Sequence, residues 1–212
     1  MIQKDKLLKT SYDIPLLTLT PAKWAKRVLE NTHALLSDQV YLEKKAANNA
    51  LEFLNLWPGP QAPLHWLTSV AAIARDETAH MQTALKLLEK KGGELERAHK
   101  NPYAYDLRKL IRKGGGKDDL TDRLIVSALV EARSCERFIR LAEETKDADL
   151  NKFYTGLIAS ENGHYRIFLD MAKKVSSAED VDTRWKKLLA EESKIIAEQP
   201  VDFKIHSGWN VN

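Results

Sequence analysis

Cysteine is almost absent from this chain of 212 residues, in which Cys135 is the single example. One cysteine excludes an internal disulfide, a Cys-x-x-Cys redox pair and a rubredoxin-type iron centre. Any electrons used in a reaction must therefore come from outside the chain. Glycine and proline are also sparse, at nine and seven residues, while 43% of the residues are hydrophobic. These proportions are typical of a mainly helical globular protein, which we expect to form one domain over residues 1–212.

Long apolar runs are missing as well. No segment approaches the ~20 apolar residues that a transmembrane helix needs. The first ten residues contain no apolar stretch of the kind that a secretory signal requires. We therefore expect a cytoplasmic protein with no membrane partner.

A large net charge is absent, since the formal charge is only +3. The charge is nevertheless uneven, because the segment 90–117 holds nine lysines and arginines and only three acidic residues. A concentrated positive segment favours a polyanionic partner, although solvated charge runs with no partner are more common.

Helix signals divide the chain into segments. Thr20 before Pro21 is typical of a helix start in which the threonine is the N-cap. Three prolines between positions 57 and 63 end one helix, and Gly92–Gly93 end the next. The pattern predicts bundle helices at about 37–56, 63–91, 118–145 and 149–175, with flanking helices at about 21–33 and 182–198.

The connections between these helices indicate the topology. Short loops join the first two bundle helices and the last two, whereas residues 94–117 form a long crossover with a short helix near 106–113. One long connection between two hairpins is typical of ferritin-like bundles. The expected fold class is all-α: a ferritin-like four-helix bundle with one long crossover and extra flanking helices.

Two Glu-x-x-His steps, Glu77/His80 and Glu161/His164, lie on the second and fourth bundle helices. Residues three apart in a helix point to the same side, so one glutamate and one histidine can reach a single metal ion. Glu43 and Glu131 each add one carboxylate from the remaining two helices. These six residues match the ligand set of di-iron carboxylate bundles, Glu43, Glu77, His80, Glu131, Glu161 and His164.

The six residues continue the apolar seams of their helices, which advance in steps of three and four. A carboxylate buried in such a seam without a compensating charge costs several kcal/mol or becomes protonated. Metal ions are the natural compensation. Carboxylate and imidazole ligands suit iron that binds dioxygen, although manganese is not excluded. We expect Glu77 and Glu161 to bridge two ions, and Glu43 and Glu131 to be terminal ligands.

Other interpretations of these residues remain open. Core histidines paired with buried acids would give the same pattern without a metal. Glu136 is a rival to Glu131, because a second seam on the third helix would place it inward. Two further Glu-x-x-His steps, Glu30/His33 and Glu96/His99, lie on a charged face and between helix breakers, so we set them aside. Cys135 is interpreted as a small buried hydrophobe.

Four segments resemble the bacterial tRNA hydroxylases that act on 2-methylthio-isopentenyl-adenosine, and the resemblance covers about residues 10–200. They are the segments at 36–47, 74–80, 129–137 and 159–165. The resemblance implies dioxygen-dependent hydroxylation of the isopentenyl group on the adenosine next to the anticodon. It also implies that the six residues named above bind two iron ions, with dioxygen as co-substrate and an external electron donor.

A tRNA substrate would give the basic crossover a function. Basic side chains there are expected to contact phosphates, and Tyr103 or Tyr105 to stack on a base. The predicted RNA-binding residues are Lys100, Arg108, Lys109, Arg112 and Lys113. The expected partners are tRNA and an electron-transfer protein or reductase.

Two other functions are compatible with the sequence. A ferritin-like ferroxidase or peroxide-scavenging iron protein would use the same six ligands. A metal-free helical bundle would bind RNA or protein through the basic crossover alone. For the segment after residue 200, which includes His206 and Trp209, the sequence gives no prediction.

Overall fold

The computed structural model describes residues 13–210, and the prediction made on the first ten residues lies outside them. Seven helices are present in the described part of the chain. They are α1 (Ala22–Val28), α2 (Thr32–Glu52), α3 (Leu64–Lys90), α4 (Pro102–Arg108), α5 (Gly116–Glu144), α6 (Ala148–Val175) and α7 (Ala178–Glu198). A short 3-10 turn, Phe53–Asn55, extends α2.

The long helices form two hairpins, α2 with α3 and α5 with α6, which pack together as a four-helix bundle. Helix α4 lies within the crossover between the hairpins. Within residues 13–210 the only β-type pairing is an isolated bridge between Val201 and Gly208. The prediction of an all-α four-helix bundle with one long crossover is therefore confirmed. No helix in this range is long and apolar enough to cross a bilayer.

Helix α2 begins five residues earlier than the sequence pattern indicates. The side chain of Asn31 accepts a hydrogen bond from the Ala34 amide at 3.1 Å, so Asn31 is the N-cap. The preceding helix α1 ends at Val28, and the expected helix to about residue 33 is split by this cap. Helix α7 likewise begins at Ala178, where Ser177 accepts from the Asp180 amide. In both cases a polar cap decides the boundary, because it satisfies a free amide of the first turn.

The prediction that Thr20 is an N-cap is wrong. Pro21 occupies the cap position of α1 and no side chain caps the helix. Thr20 instead donates to the carboxylate of Glu136 on α5, through its amide at 2.8 Å and its hydroxyl at 2.6 Å. A distant buried carboxylate has displaced the local cap as the partner of this threonine.

The crossover helix also differs from the expectation. Asn101 caps α4 by accepting from the Ala104 amide at 3.1 Å, and Pro102 is its first residue. The helix ends at Arg108, so the helix predicted near 106–113 is wrong. Before α5, the glycines at 114–116 all have positive φ, between 74° and 130°. A side chain is disfavoured in that conformation, which explains why three consecutive glycines form the turn.

The apolar core of the bundle is divided into two clusters. One contains Phe53, Trp66 and Phe168, and the other contains Leu36, Phe138 and Tyr154. The predicted ligand positions on α2, α3 and α6 lie between the two clusters in sequence, and Glu131 lies near the end of the first cluster on α5, so a polar layer interrupts the core at mid-bundle. Helix α5 is buried on almost every side, because α1, α4 and α7 cover its outer face.

Candidate metal centre and substrate cavity

The polar layer consists of six side chains that meet at the centre of the bundle. All are buried apart from His80, whose side chain is 15% exposed. Nδ1 of His164 lies 2.7 Å from Oε1 of Glu77, and Nδ1 of His80 lies 3.4 Å from the other oxygen of the same carboxylate. The imidazole rings have their centroids 6.4 Å apart. The structure thus brings together all the ligands expected from the sequence.

Two overlapping groups of ligand atoms can be recognised in this layer. In each group, one atom from every residue lies within 4.8 Å of all the others. Glu43 and His80 belong to the first group only, and Glu131 and His164 to the second only. Glu77 and Glu161 belong to both. These positions are compatible with bridging roles for Glu77 and Glu161 and terminal roles for Glu43 and Glu131, which stay predictions.

Five of the polar atoms in this layer lack a hydrogen-bond partner among the described residues. Both oxygens of Glu77, Oε1 of Glu161 and Nδ1 of each histidine are buried without a hydrogen bond. Although Nδ1 of His164 is close to Glu77, the two groups are not aligned for one. Buried polar atoms are normally satisfied, and unpaired oxygens around a common centre are costly. The donor set of carboxylate oxygens and imidazole nitrogens therefore fits a pair of divalent cations.

The electrostatics of the layer lead to the same conclusion. Burial raises the pKa of Glu77 to about 7. Burial, and then repulsion from Glu77, raise the pKa values of both Glu43 and Glu161 well above the usual range. Burial also raises the pKa of Glu131 and lowers that of His80. Each shift opposes the charged form of its group, and a bound cation would offset that cost for the carboxylates.

A second contact fixes the ring of His164. Its Nε2 lies 3.5 Å from a carboxylate oxygen of Asp76 and 3.2 Å from the hydroxyl of Ser160. Nδ1 is thereby left to face Glu77 and the centre of the layer. Carboxylate contacts of this kind orient metal-binding histidines. Sequence reasoning missed Asp76, although its position directly before Glu77 was a usable signal.

The choice between Glu131 and Glu136 is decided by their partners. Glu131 faces the polar layer, whereas Glu136 accepts hydrogen bonds from Thr20 and from Arg133 at 3.1 Å. Cys135 is buried, and its thiol donates to the Ile158 carbonyl at 3.5 Å, which agrees with its interpretation as a small core residue. Neither of the dismissed Glu-x-x-His steps joins the layer.

A cavity of about 670 Å³ opens beside the polar layer. Glu43, Glu131 and Glu161 form part of its wall, together with Ser127 and Ser134. The small side chains of the two serines leave room for a ligand beside the carboxylates. Ala47 and Ala50, which are also small, are buried and do not line the cavity. A space of this size accommodates a small organic ligand.

Comparison with known proteins relates this geometry to a family. The family model described as tRNA-(MS[2]IO[6]A)-hydroxylase (MiaE) matches residues 8–207. A protein of Pseudomonas putida (strain KT2440) named tRNA 2-(methylsulfanyl)-N(6)-isopentenyladenosine(37) hydroxylase is 32% identical over 189 residues, which cover 89% of this chain and 90% of that protein. The chain belongs to the tRNA-(MS[2]IO[6]A)-hydroxylase family.

Two further similarities support the relationship. The protein of the same name from Salmonella typhimurium (strain LT2) is 28% identical, over 89% of this chain and 86% of that protein. A solved structure of a Synechococcus protein with aldehyde deformylating oxygenase activity superposes with a TM-score of 0.82 at 28% identity. It covers 91% of this chain and 96% of its own. The bundle is therefore ferritin-like, as the loop lengths predicted.

The basic crossover of this tRNA-hydroxylase family member lies at the cavity, but its residues differ in their surroundings. Lys100 and Arg108 line the cavity. Lys109 forms an ion pair with Asp106 at 2.7 Å and does not line it. Arg112 binds the carboxylates of Asp122 and Asp118 and holds the start of α5 in place. Lys113 is exposed outside the cavity wall.

The two tyrosines proposed to stack on a base have different environments. Tyr103 is fully buried, and its hydroxyl donates to Glu192 of α7 at 2.9 Å, so its ring is not available to a ligand. The prediction for Tyr103 is wrong because a buried carboxylate on α7 binds its hydroxyl. Tyr105 is 64% exposed and lines the cavity.

The segment after α7, for which the sequence gave no prediction, completes the cavity of this hydroxylase-family chain. His206 lines the wall, contacts the Tyr103 ring with centroids 4.6 Å apart and the ring planes tilted by 34°, and lies 3.3 Å from the Ser134 hydroxyl. The guanidinium of Arg137 lies over the Trp209 ring and donates to the Ser207 carbonyl. No periodicity identifies such a segment, since the contacts that place it at the cavity are to residues distant in sequence.

Proposed function

We propose that this protein hydroxylates the isopentenyl group of 2-methylthio-isopentenyl-adenosine in tRNA, next to the anticodon, as a non-haem di-iron monooxygenase. Membership of the hydroxylase family and the names of the relatives in Pseudomonas and Salmonella support the substrate. The observation that carries the proposal is the continuity of the cavity, whose wall runs from Glu131 and Glu161 to Lys100 and Arg108 of the crossover.

The proposed cofactor is a pair of iron ions bound by the six side chains of the polar layer. When bound, the iron pair would supply the reduction of dioxygen and the oxidising power for attack on a C–H bond. One oxygen atom enters the substrate and the other leaves as water, which consumes two electrons and two protons. We propose that a separate electron-transfer protein or reductase delivers the electrons, because the single cysteine of the chain rules out a cysteine-ligated relay.

The side chains of the protein would bind the substrate and exclude water from the cavity. The apolar part of the wall, which includes Leu42, Val130 and Phe138, suits a prenyl group. Tyr105 at the exposed end suits stacking with the purine, and the cations of the crossover suit the phosphates of the RNA backbone. In this orientation the prenyl chain points toward the carboxylates and the nucleic acid remains outside. We also propose a cytoplasmic location, where tRNA is modified.

The direct test is turnover by the purified, iron-loaded protein. It is supplied with dioxygen, a reductant and tRNA that carries 2-methylthio-isopentenyl-adenosine, and the nucleosides are then analysed by mass spectrometry. The expected product is heavier by one oxygen atom. Unchanged nucleoside would remove the proposal, and rapid oxidation of added ferrous iron without that product would favour a ferroxidase instead. Glu161→Gln, which removes a shared ligand, is expected to abolish the product.

A further inference from the structure

We propose that Lys45 of α2, held in position by Asp38 and His99, contacts a phosphate of the bound nucleic acid. The inference rests on the proposed function and adds to it a contact on the bundle itself, outside the basic crossover. Lys45 and His99 both line the cavity. The ligand chemistry is a phosphodiester anion at the edge of the cavity.

Three side chains form a chain of hydrogen bonds that ends at the cavity. Nε2 of His99 lies 2.7 Å from a carboxylate oxygen of Asp38, and Nδ1 of His99 lies 2.7 Å from the Lys45 ammonium. An ammonium group has only donors, so Nδ1 must accept and Nε2 must carry the proton that Asp38 binds. The carboxylate thus fixes the tautomer that orients Lys45. Among the described residues His99 is the one hydrogen-bond partner of the ammonium, which leaves two of its three donors for a ligand.

Asp38 and His99, which hold Lys45, are themselves fixed by further contacts. The second oxygen of Asp38 accepts from the Ile205 amide at 2.8 Å, and the side chains of Asp38 and His99 are 4% and 3% exposed. The Tyr41 ring stacks on His99 with an interplanar angle of 8° and centroids 5.0 Å apart. The buried Asp38 carboxylate and His99 imidazole are satisfied by each other, by the Ile205 amide and by Lys45, so the lysine is held in one position at the cavity edge.

The surrounding charges favour an anion at this place. Among residues 13–210, no carboxylate lies within 4.0 Å of the cationic groups of Lys45, Lys100 or Arg108, whereas Lys109 and Arg112 have acidic partners. Burial lowers the pKa of the Lys45 ammonium, the Asp38 carboxylate raises it, and Arg108 and Lys44 lower it by smaller amounts. Cations that lack an acidic ion-pair partner attract a phosphate, and a phosphate bound at the cavity edge relieves the repulsion between them.

The test compares Lys45→Ala with Lys44→Ala in the iron-loaded protein. Lys44 directly precedes Lys45 and carries the same charge, but it is exposed and does not line the cavity. Binding of the modified tRNA is measured between about 50 and 200 mM salt. Lys45→Ala is expected to make the slope of log K against log salt shallower by about 0.7–0.9 and to raise KM for tRNA about tenfold with kcat unchanged. Lys44→Ala is expected to match the wild type.

The role of His99 is tested by two substitutions. His99→Phe keeps a ring against Tyr41 and removes both nitrogens, so it is expected to give the same salt slope as Lys45→Ala. The double variant with both substitutions is expected to show no further loss of tRNA binding. His99→Asn keeps an acceptor near the position of Nδ1 and is expected to be intermediate. If His99→Phe does not fold, His99→Asn decides the positioning role, and a wild-type slope in that variant overturns it.

The outcomes separate this inference from the proposed function. If the wild-type protein does not hydroxylate the tRNA, the proposed function fails. If the wild-type protein is active and Lys45→Ala has the salt slope of Lys44→Ala, only the phosphate contact fails. A fall in kcat without a change of slope likewise overturns the contact.

Discussion

At the scale of single residues, helical spacing carried most of the information about the metal centre. The sequence placed Glu77, His80, Glu161 and His164 on inward faces because positions three apart share one side of a helix. It also favoured Glu131 over Glu136 through seam register, and their partners in the structure agree with that choice. What spacing does not reveal is contact between distant residues, such as Thr20 with Glu136 or Tyr103 with Glu192.

Asp76 provides a test of how the ligand ring is held. Asp76→Asn removes the negative charge that faces Nε2 of His164, so we expect iron affinity to fall about 10- to 100-fold without loss of the fold. Ferrous-ion titration of the metal-free protein measures this change. The control is Asp170→Asn, an exposed acid further along α6. Equal affinities in the two variants would contradict the positioning role of Asp76.

His206 predicts a dependence of stability on pH. Burial, and then the guanidinium groups of Arg137 and Arg133, with His99 nearby, hold its pKa well below the usual value. An unfolded histidine takes up a proton near pH ~6.5, while the folded one stays neutral. The free energy of unfolding should therefore fall as the pH drops below that value, and the contribution is fully present above it.

Urea unfolding at pH 7.5 and pH 5.5 tests this expectation. His206→Gln is predicted to lose less stability between the two pH values than the wild type, because the group that resists protonation is gone. His65→Gln, a substitution at an exposed histidine, serves as the control. The same loss in all three proteins would contradict the assignment.

At the scale of elements, the existence and order of the helices could be predicted from the sequence, whereas the residues at which they begin and end could not. Each long helix has apolar residues at regular steps of three and four, a pattern that loops lack. The prolines and glycines between the helices mark where they end. The starts of α2 and α7 depend on Asn31 and Ser177, whose caps compete with neighbouring polar residues. Helix α4 was misplaced because Asn101 and Pro102, a strong start signal, were interpreted only as a break.

Helix α4 gives a prediction at this scale. Tyr103→Phe removes the hydroxyl that binds Glu192 and leaves a buried carboxylate with one partner fewer, so the free energy of unfolding should fall by about 1–3 kcal/mol. Tyr105→Ala changes an exposed ring and should alter stability by no more than about 0.5 kcal/mol, while it weakens tRNA binding. Chemical denaturation and a binding assay measure both effects. Equal destabilisation by the two substitutions would contradict the anchoring of α4 by α7.

At the scale of the whole molecule, the four helices of the bundle surround one buried polar layer. Two apolar clusters pack at either side of the layer, and the crossover and the segment after α7 close the cavity beside it. The sequence predicted the layer, because four helices contribute to it with regular spacing. It did not predict that His206, His99 and Lys45 line the cavity, because they meet there from three separate parts of the chain.

The central claim is that two iron ions share Glu77 and Glu161 in this layer, and anaerobic titration of the metal-free protein with ferrous iron tests it most directly. The wild type is expected to bind two ions per chain. Glu43→Gln and Glu131→Gln are each expected to lose one tight site. The control Glu30→Gln, at an exposed glutamate, is expected to keep both sites. A wild-type stoichiometry below one, or two tight sites retained in both ligand variants, would contradict the claim.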